Sequence, residues 1–323
     1  MTDVKLSKSS PDPAMPTDMR GSAIRDFLGR LVREHPMGAA GLLITLALLI
    51  LGIFADLIAP FGLNETTSNF MSPPSGAHLL GTDNLGRDVF SRIIYGARIS
   101  LVVGLCATAL ATFYSVLLGA TSGFIGGRFD VIVQRFVDAW MAVPAIIMSL
   151  LLISVFGTGT IQTIIVISLA LGVGGSRIVR GAVLSIKSNA YVEAGVAIGC
   201  SNGRILIRHI LPNIAATVVT IFTLRISEAI LMEAALSFLG LGLPPPNPSW
   251  GAMLSGTARN YMFLAPWMVL WPGIVLMTVV WGMNMFGDAL RDLLDPKLRG
   301  GVGRFGRRAP KHTESEVERS HAK

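Results

Sequence analysis

The chain has 323 residues, of which 51% are apolar and only 15% are charged, against about 25% charged in soluble domains. That is a membrane composition, with length for several spans of about 20 residues and little left for a separate soluble catalytic domain. The net charge of +7 does not indicate a nucleic-acid groove, which would gather its cations on one folded surface, because Lys and Arg here cluster between and beyond the apolar runs.

Residues 1–36 open with Ser, Pro, Asp and Lys and show no apolar period, which predicts an N-terminal tail whose first part is disordered. The first hydrophobic run begins too late and is too long for a secretory signal. That run, 38–58, carries no charge before Asp56 and stops at Pro60, so it predicts a first membrane helix within 37–59. The polar segment 60–98 contains His-Leu-Leu-Gly-Thr-Asp-Asn-Leu-Gly-Arg-Asp at 78–88. Its Asp83, Asn84, Gly86 and Asp88 lack the spacing and closing Glu of an EF-hand, and a turn held by Asx hydrogen bonds is expected instead.

Five further spans are predicted at 99–124, 131–156, 161–175, 214–239 and 267–285, making an all-α membrane protein of six transmembrane helices with both ends on one side. The Gly-rich reversal at 123–130 is too short for a phosphate loop and lacks its Lys-Ser or Lys-Thr. Cys106 and Cys200 lie in or beside different spans with no CxxC partner, so neither a disulfide framework nor a zinc site is expected. Cations flank the first run (Arg25, Arg30, Arg33), the second reversal (Arg128, Arg135), the long loop (Arg177, Arg180, Lys187, Arg204, Arg208) and the last run (Arg291, Lys297, Arg299). By the positive-inside rule, the N-terminal tail, the 176–212 loop and the C-terminal tail 289–323 are cytoplasmic. The segments 59–98 and 242–266 then face outward.

The 176–212 loop is the longest cationic interruption. Ile178, Val179, Ala182, Val183 and Ile186 recur at helical spacing and continue the fourth span as an amphipathic helix. Asn189 is placed to cap a short second helix with Glu193 in its first turn, and Gly199 to end it. Ser201 or Asn202 can cap a third piece in which Leu206, Ile207, Ile210 and Leu211 share a face, before Pro212. Basic amphipathic segments commonly lie at the lipid interface. Residues 190–198, however, contain no Lys or Arg and are rich in small residues, a knob suited to a protein socket. Within the spans, Asp138, Arg225, Glu228 and Glu233 stand out because intramembrane charges are costly. They are candidates for a pathway lining, or Arg225 and Glu228 pair at i,i+3 with Glu233 near the outer mouth. Gly119, Gly123, Gly172, Gly174 and Gly175 suggest close helix packing.

Glu193-Ala194-Gly195, three residues, Gly199, nine residues, then His209 before Ile210-Leu211-Pro212 resembles the EAA motif of the inner-membrane permease subunits of binding-protein-dependent ABC importers. That motif reads Glu-Ala-Ala, three residues, Gly, nine residues, Ile, one residue, Leu-Pro, so Gly195 and His209 are departures. Gly-Thr-Asp-Asn-Leu-Gly-Arg-Asp at 81–88, Glu-Ala-Ala-Leu-Ser-Phe-Leu-Gly-Leu-Gly at 233–242 and Gly-Asp-Ala-Leu-Arg-Asp-Leu-Leu-Asp-Pro at 287–296 are similar to the C-type permeases of dipeptide, oligopeptide and nickel importers. The resemblance implies a type I importer permease fold, with a permease domain over 97–288 in the bacterial inner membrane. It assigns Glu193, Ala194, Gly195 and Gly199 to a coupling helix seated in an ATP-binding subunit, and Ile210, Leu211 and Pro212 to the leg that returns to the membrane. It further implies a heterodimer with a B-type permease, two ATP-binding subunits and an extracytoplasmic solute-binding protein. The chain itself would be neither an enzyme nor a holder of cofactor or metal. Peptides are the expected substrate, nickel or another small solute the alternative.

Two rival classes fit less well. A secondary transporter usually carries repeated halves with interrupted helices, and no internal repeat is visible. An intramembrane hydrolase needs a constellation that His35, His78, His209, His312 and His321, all outside the apolar runs, do not supply.

Overall fold

Runs of Leu, Ile, Val and Ala fold as helices in a bilayer because lipid offers the backbone no hydrogen-bond partner. The computed structural model describes residues 19–294 and forms α1 (Met19–Glu34), α2 (Pro36–Ile53), α3 (Ala55–Ile58), α4 (Val89–Ile125), α5 (Gly127–Met141), α6 (Ala145–Phe156) and α7 (Thr160–Lys187). It continues with α8 (Ala190–Ala197), α9 (Asn202–Ile205), a π-turn at Leu206–Ile210, α10 (Ala215–Phe238), α11 (Trp250–Leu254), α12 (Thr257–Asn260) and α13 (Trp267–Leu294). Among the described residues the strand-like pairings are two isolated bridges, Thr66 with Arg87 and Thr82 with Asp88. Five helices are long and apolar enough to cross a bilayer, and α5 with α6, bent by 90° at their break, adds a sixth if the pair counts as one span. The protein is thus an all-α membrane fold.

Five elements differ from the sequence reading. First, α1 occupies part of the segment read as a tail, where Leu31 is fully buried against Ala289 and Leu293 with Phe27 and Phe286 beside them; the expected disorder of residues 1–18 lies outside the described residues. Second, the first span ends at Ile53, and Ala55–Ile58 forms a separate turn that places Asp56 2.8 Å from Arg98. Third, α4 begins ten residues before the expected start, at Val89, because Asp88 caps it by accepting from the Ser91 amide at 2.8 Å. Fourth, the third span is broken at 142–144, where Pro144 provides no N–H and cannot continue α5. Fifth, α13 runs to Leu294, past the expected end at 285 and into the segment read as a tail from 289, where Ala289 and Leu293 pack on Leu31.

Small residues set the closest approach, between α4 and α7. A Cβ on Gly172 would come within 2.8 Å of the Ala111 carbonyl, and one on Gly119 would run into the Ser176 carbonyl. The Ser115 hydroxyl donates to the Gly172 carbonyl at 2.6 Å across the same seam. Around it packs an apolar cluster of Val103, Ala107, Ile167, Leu171 and Ala229 from α4, α7 and α10. The 59–88 segment is built on the expected Asx turn: Asp83 Oδ1 accepts from the Leu85 and Arg87 amides at 2.8 and 2.9 Å. Trp250 Nε1 donates to the Ile93 carbonyl (3.0 Å) and Trp267 Nε1 to the Thr82 carbonyl (3.1 Å), tying 242–266 to the start of α4 and α13 to the segment before it.

Candidate coupling loop and polar groups of the spans

The fourth span runs unbroken into the loop. On α7, Val179 and Val183 are buried in a second apolar cluster with Ala120, Val192, Ile205, Ile210 and Ile214, as their spacing predicts, while Ile178 is exposed. Lys187 Nζ donates to the Phe124 carbonyl at 2.6 Å, joining the end of α7 to the end of α4.

Next comes α8. Asn189 occupies its N-cap position but its side chain makes no capping bond; Glu193 lies in the first turn, where its charge suits the helix dipole. The helix ends as the sequence expects. Gly199 adopts φ +81, a conformation that costs glycine least, and Cys200 N–H bonds the Gly195 carbonyl (3.0 Å) while Gly199 N–H bonds that of Val196 (2.9 Å), a Schellman pair. Val192 and Gly195 face inward, and Tyr191, Glu193, Ala194, Val196 and Gly199 face out, with Ile198 81% exposed. Beside α8, a hollow of about 800 Å³ is lined by Phe124, Ile125, Lys187, Glu193, Val196 and Leu206.

The returning leg departs from the expected regular helix. Leu206–Ile210 is a π-turn closed by the Leu211 amide on the Leu206 carbonyl (2.9 Å), which rotates Ile207 into solvent and buries Ile210. Pro212 explains the widened turn, since it offers no N–H to continue the ladder. Asn213 Nδ2 donates to the His209 carbonyl (2.5 Å), satisfying one acceptor thereby freed.

The charges within the spans separate into three environments. Asp138 is paired, with Arg177 of α7 and with Arg135 at 3.6 Å. Arg225 donates to the Leu171 carbonyl and stands 3.8 Å from Glu228, the i,i+3 pair foreseen in the sequence, yet Glu228 is 58% exposed. Glu233 is fully buried; its Oε1 accepts from the Ser237 hydroxyl at 2.6 Å and its Oε2 has no hydrogen-bond partner among the described residues. It therefore belongs to the packing of α10 against the 242–266 segment, and not to an open mouth. Sequence reasoning missed the strongest pair, Arg180 with Asp130, which is bidentate at 2.7 and 2.5 Å. Its only signal was a carboxylate in the first turn after a Gly-rich reversal.

Similarity to known proteins decides the family. Residues 115–300 match the family described as "Binding-protein-dependent transport system inner membrane component". The chain belongs to this family. It is similar to the dipeptide transport system permease protein of Alkalihalophilus pseudofirmus, 40% identical over 83% of this chain and 88% of that one. The oligopeptide transport system permease protein of Bacillus subtilis is 39% identical over the same shares. The glutathione transport system permease protein of Pectobacterium atrosepticum is 37% identical over 85% of this chain and 91% of its own length. The protein is accordingly a permease subunit of an ABC importer, a membrane transport component and not itself an enzyme.

Proposed function

We propose that this permease carries peptides, delivered by an extracytoplasmic solute-binding protein, through a pathway it shares with a second, B-type permease. Two ATP-binding subunits drive the cycle, because this chain has no G-x-x-x-x-G-K-[ST] phosphate loop of its own. The peptide reading rests on the transport functions named for the similar permeases, those of dipeptide, oligopeptide and glutathione systems.

One observation carries the coupling assignment: α8 presents Tyr191, Val196 and Ile198 to solvent on a helix without Lys or Arg. An apolar knob of this kind, free of cations, suits a protein socket. Glu193, Ala194, Gly195 and Gly199 form the knob, seated in an ATP-binding subunit, and Ile210, Leu211 and Pro212 fix its return leg. Both termini and this loop are cytoplasmic, and the 59–98 and 242–266 segments meet the binding protein. Movement of α8 on closure of the ATP-binding pair passes into α7, from which only Ser188 and the extended Asn189 separate it.

Deleting residues 190–199 in the full complex is expected to leave membrane insertion intact and abolish ATP-dependent uptake into vesicles. Uptake at the wild-type rate would overturn the coupling assignment.

A further inference from the structure

Of the four candidate charges in the spans, Glu228 alone is both open and without a hydrogen bond among the described residues. It is the fourteenth residue of the 24-residue helix α10, which places it near the middle of the bilayer, and its side chain is 58% exposed. Arg225 does not absorb it: the guanidinium donates to the Leu171 carbonyl, and its separation from Glu228, 3.8 Å, is longer than a hydrogen bond. A carboxylate at this depth is not left facing lipid, so this side of α10 faces water or protein.

A second observation at the same depth agrees. A Cβ on Gly174 would stand 3.4 Å from the Met141 sulfur, at the break between α5 and α6, while one on Gly175 would stand 3.3 Å from Arg225 Nη2. The break and the Arg225–Glu228 pair therefore lie on either side of two adjacent residues of α7. Irregular backbone inside a bilayer is tolerated only where it is buried in protein or lines water, and Ala142 and Pro144 are exposed there.

Toward the 176–212 loop, Asn213, Thr217, Thr220 and Leu224 precede Glu228 at steps of three or four, one stripe of α10 and its approach. This stripe lines a hollow of about 670 Å³ against Gly181 and Ser185 of α7. Its wall is otherwise mostly apolar, with Ile178, Ile186 and Ile221 beside the stripe and Arg291 at the loop side, and Glu228 lies one turn beyond Leu224, past the residues that line it.

We infer that Glu228 is a specificity-determining carboxylate on the translocation pathway, taking the cationic group of a passing peptide, its free α-ammonium or a basic side chain. The ligand rests on the peptide reading above; the place on the pathway does not.

The test uses the complete complex in proteoliposomes. In a Leu224→Cys background lacking Cys106 and Cys200, a cationic thiol reagent is expected to react on the order of ten-fold faster than an anionic one, and Glu228→Gln to bring the ratio toward one. With one binding protein throughout, Glu228→Gln is also expected to narrow the preference for a free-amino peptide over its N-acetylated form. An unreactive Leu224→Cys, or a charge preference indifferent to Glu228→Gln, overturns the proposal. So does loss of the second permease from purified Glu228→Gln complex, which would make Glu228 a subunit contact. A wild-type complex that carries no peptide but keeps the Glu228-dependent charge preference overturns the peptide reading alone.

Discussion

Gly195 stands where the EAA motif has alanine, and the space around it has room for the missing methyl. It is buried in α8, yet a Cβ built on it meets no atom within 4 Å. Gly195→Ala is expected to preserve uptake and to stabilise α8 by about 1 kcal/mol, the usual helix advantage of alanine, readable as unchanged vesicle transport with a slightly higher Tm. The other departure, His209, is half-buried and accepts from Asn213 through its backbone carbonyl, a bond that does not depend on its side chain. Gly119 is the opposite case, because a Cβ there meets the Ser176 carbonyl and comes 2.8 Å from Val179 Cβ. Gly119→Ala should force α4 from α7 and cost about 1–3 kcal/mol, the usual penalty of overpacking, seen as a lower Tm of the purified complex. In the short helix α3, the hydrogen bond from Arg98 holds Asp56 below the ordinary carboxylate range. A depressed folded pKa stabilises above the unfolded value of about 3.9 and is lost as pH falls through the folded one. Any Tm difference between wild type and Asp56→Asn should therefore be present at neutral pH, small for so exposed a pair, and vanish in strong acid.

At the scale of elements, α7 is the strut on which the loop is mounted, and α5 is fastened to it by charge. Arg180 grips Asp130 with two hydrogen bonds and Arg177 pairs with Asp138. Asp130→Arg and Arg180→Asp should each lower Tm and uptake, and the double exchange should recover part of both; a double-mutant cycle should give a coupling of about 1–3 kcal/mol. Additive effects would mean the pair is incidental. This fastening was not legible in the sequence, where the two residues are fifty positions apart and each reads as a flanking charge. The loop was legible because its signals are local: Glu193 in a first turn, Gly199 at a helix end, Pro212 at re-entry. Two misses were visible but overridden. Phe27, Leu28, Leu31 and Val32 have helical spacing behind a Ser- and Pro-rich start, and Pro144 marks the break in a window whose mean hydropathy reads as one span. The π-turn at Leu206–Ile210 has Pro212 just beyond it as its cue, but a proline there equally marks the end of a regular helix.

At the scale of the molecule, everything assigned to the loop depends on whether α5 and α6 together cross the bilayer or turn back within it. If they turn back, α7 starts on the side where it should end, and α8 comes out on the same side as 59–88. Packing along α7 argues for a crossing. Asp130 at the start of α5 meets Arg180, and Met141 at its end meets Gly174. Ala145, Ile146 and Leu150 of α6 then pack against the cluster that holds Ile167 and Leu171 of α7, and α6 returns to α7 at Thr160 through 157–159. The pair thus follows α7 from Arg180 to Thr160, about 30 Å at 1.5 Å per residue, the thickness of a hydrocarbon core. With Cys106 and Cys200 removed, Ile198→Cys should react with an impermeant thiol reagent only from the cytoplasmic side. Leu79→Cys, also exposed, should react only from the other. Labelling of both from one side would make α5–α6 a re-entrant hairpin and remove α8 from the reach of any cytoplasmic ATPase, whereas opposite labelling leaves the knob where an ATP-driven partner can hold it.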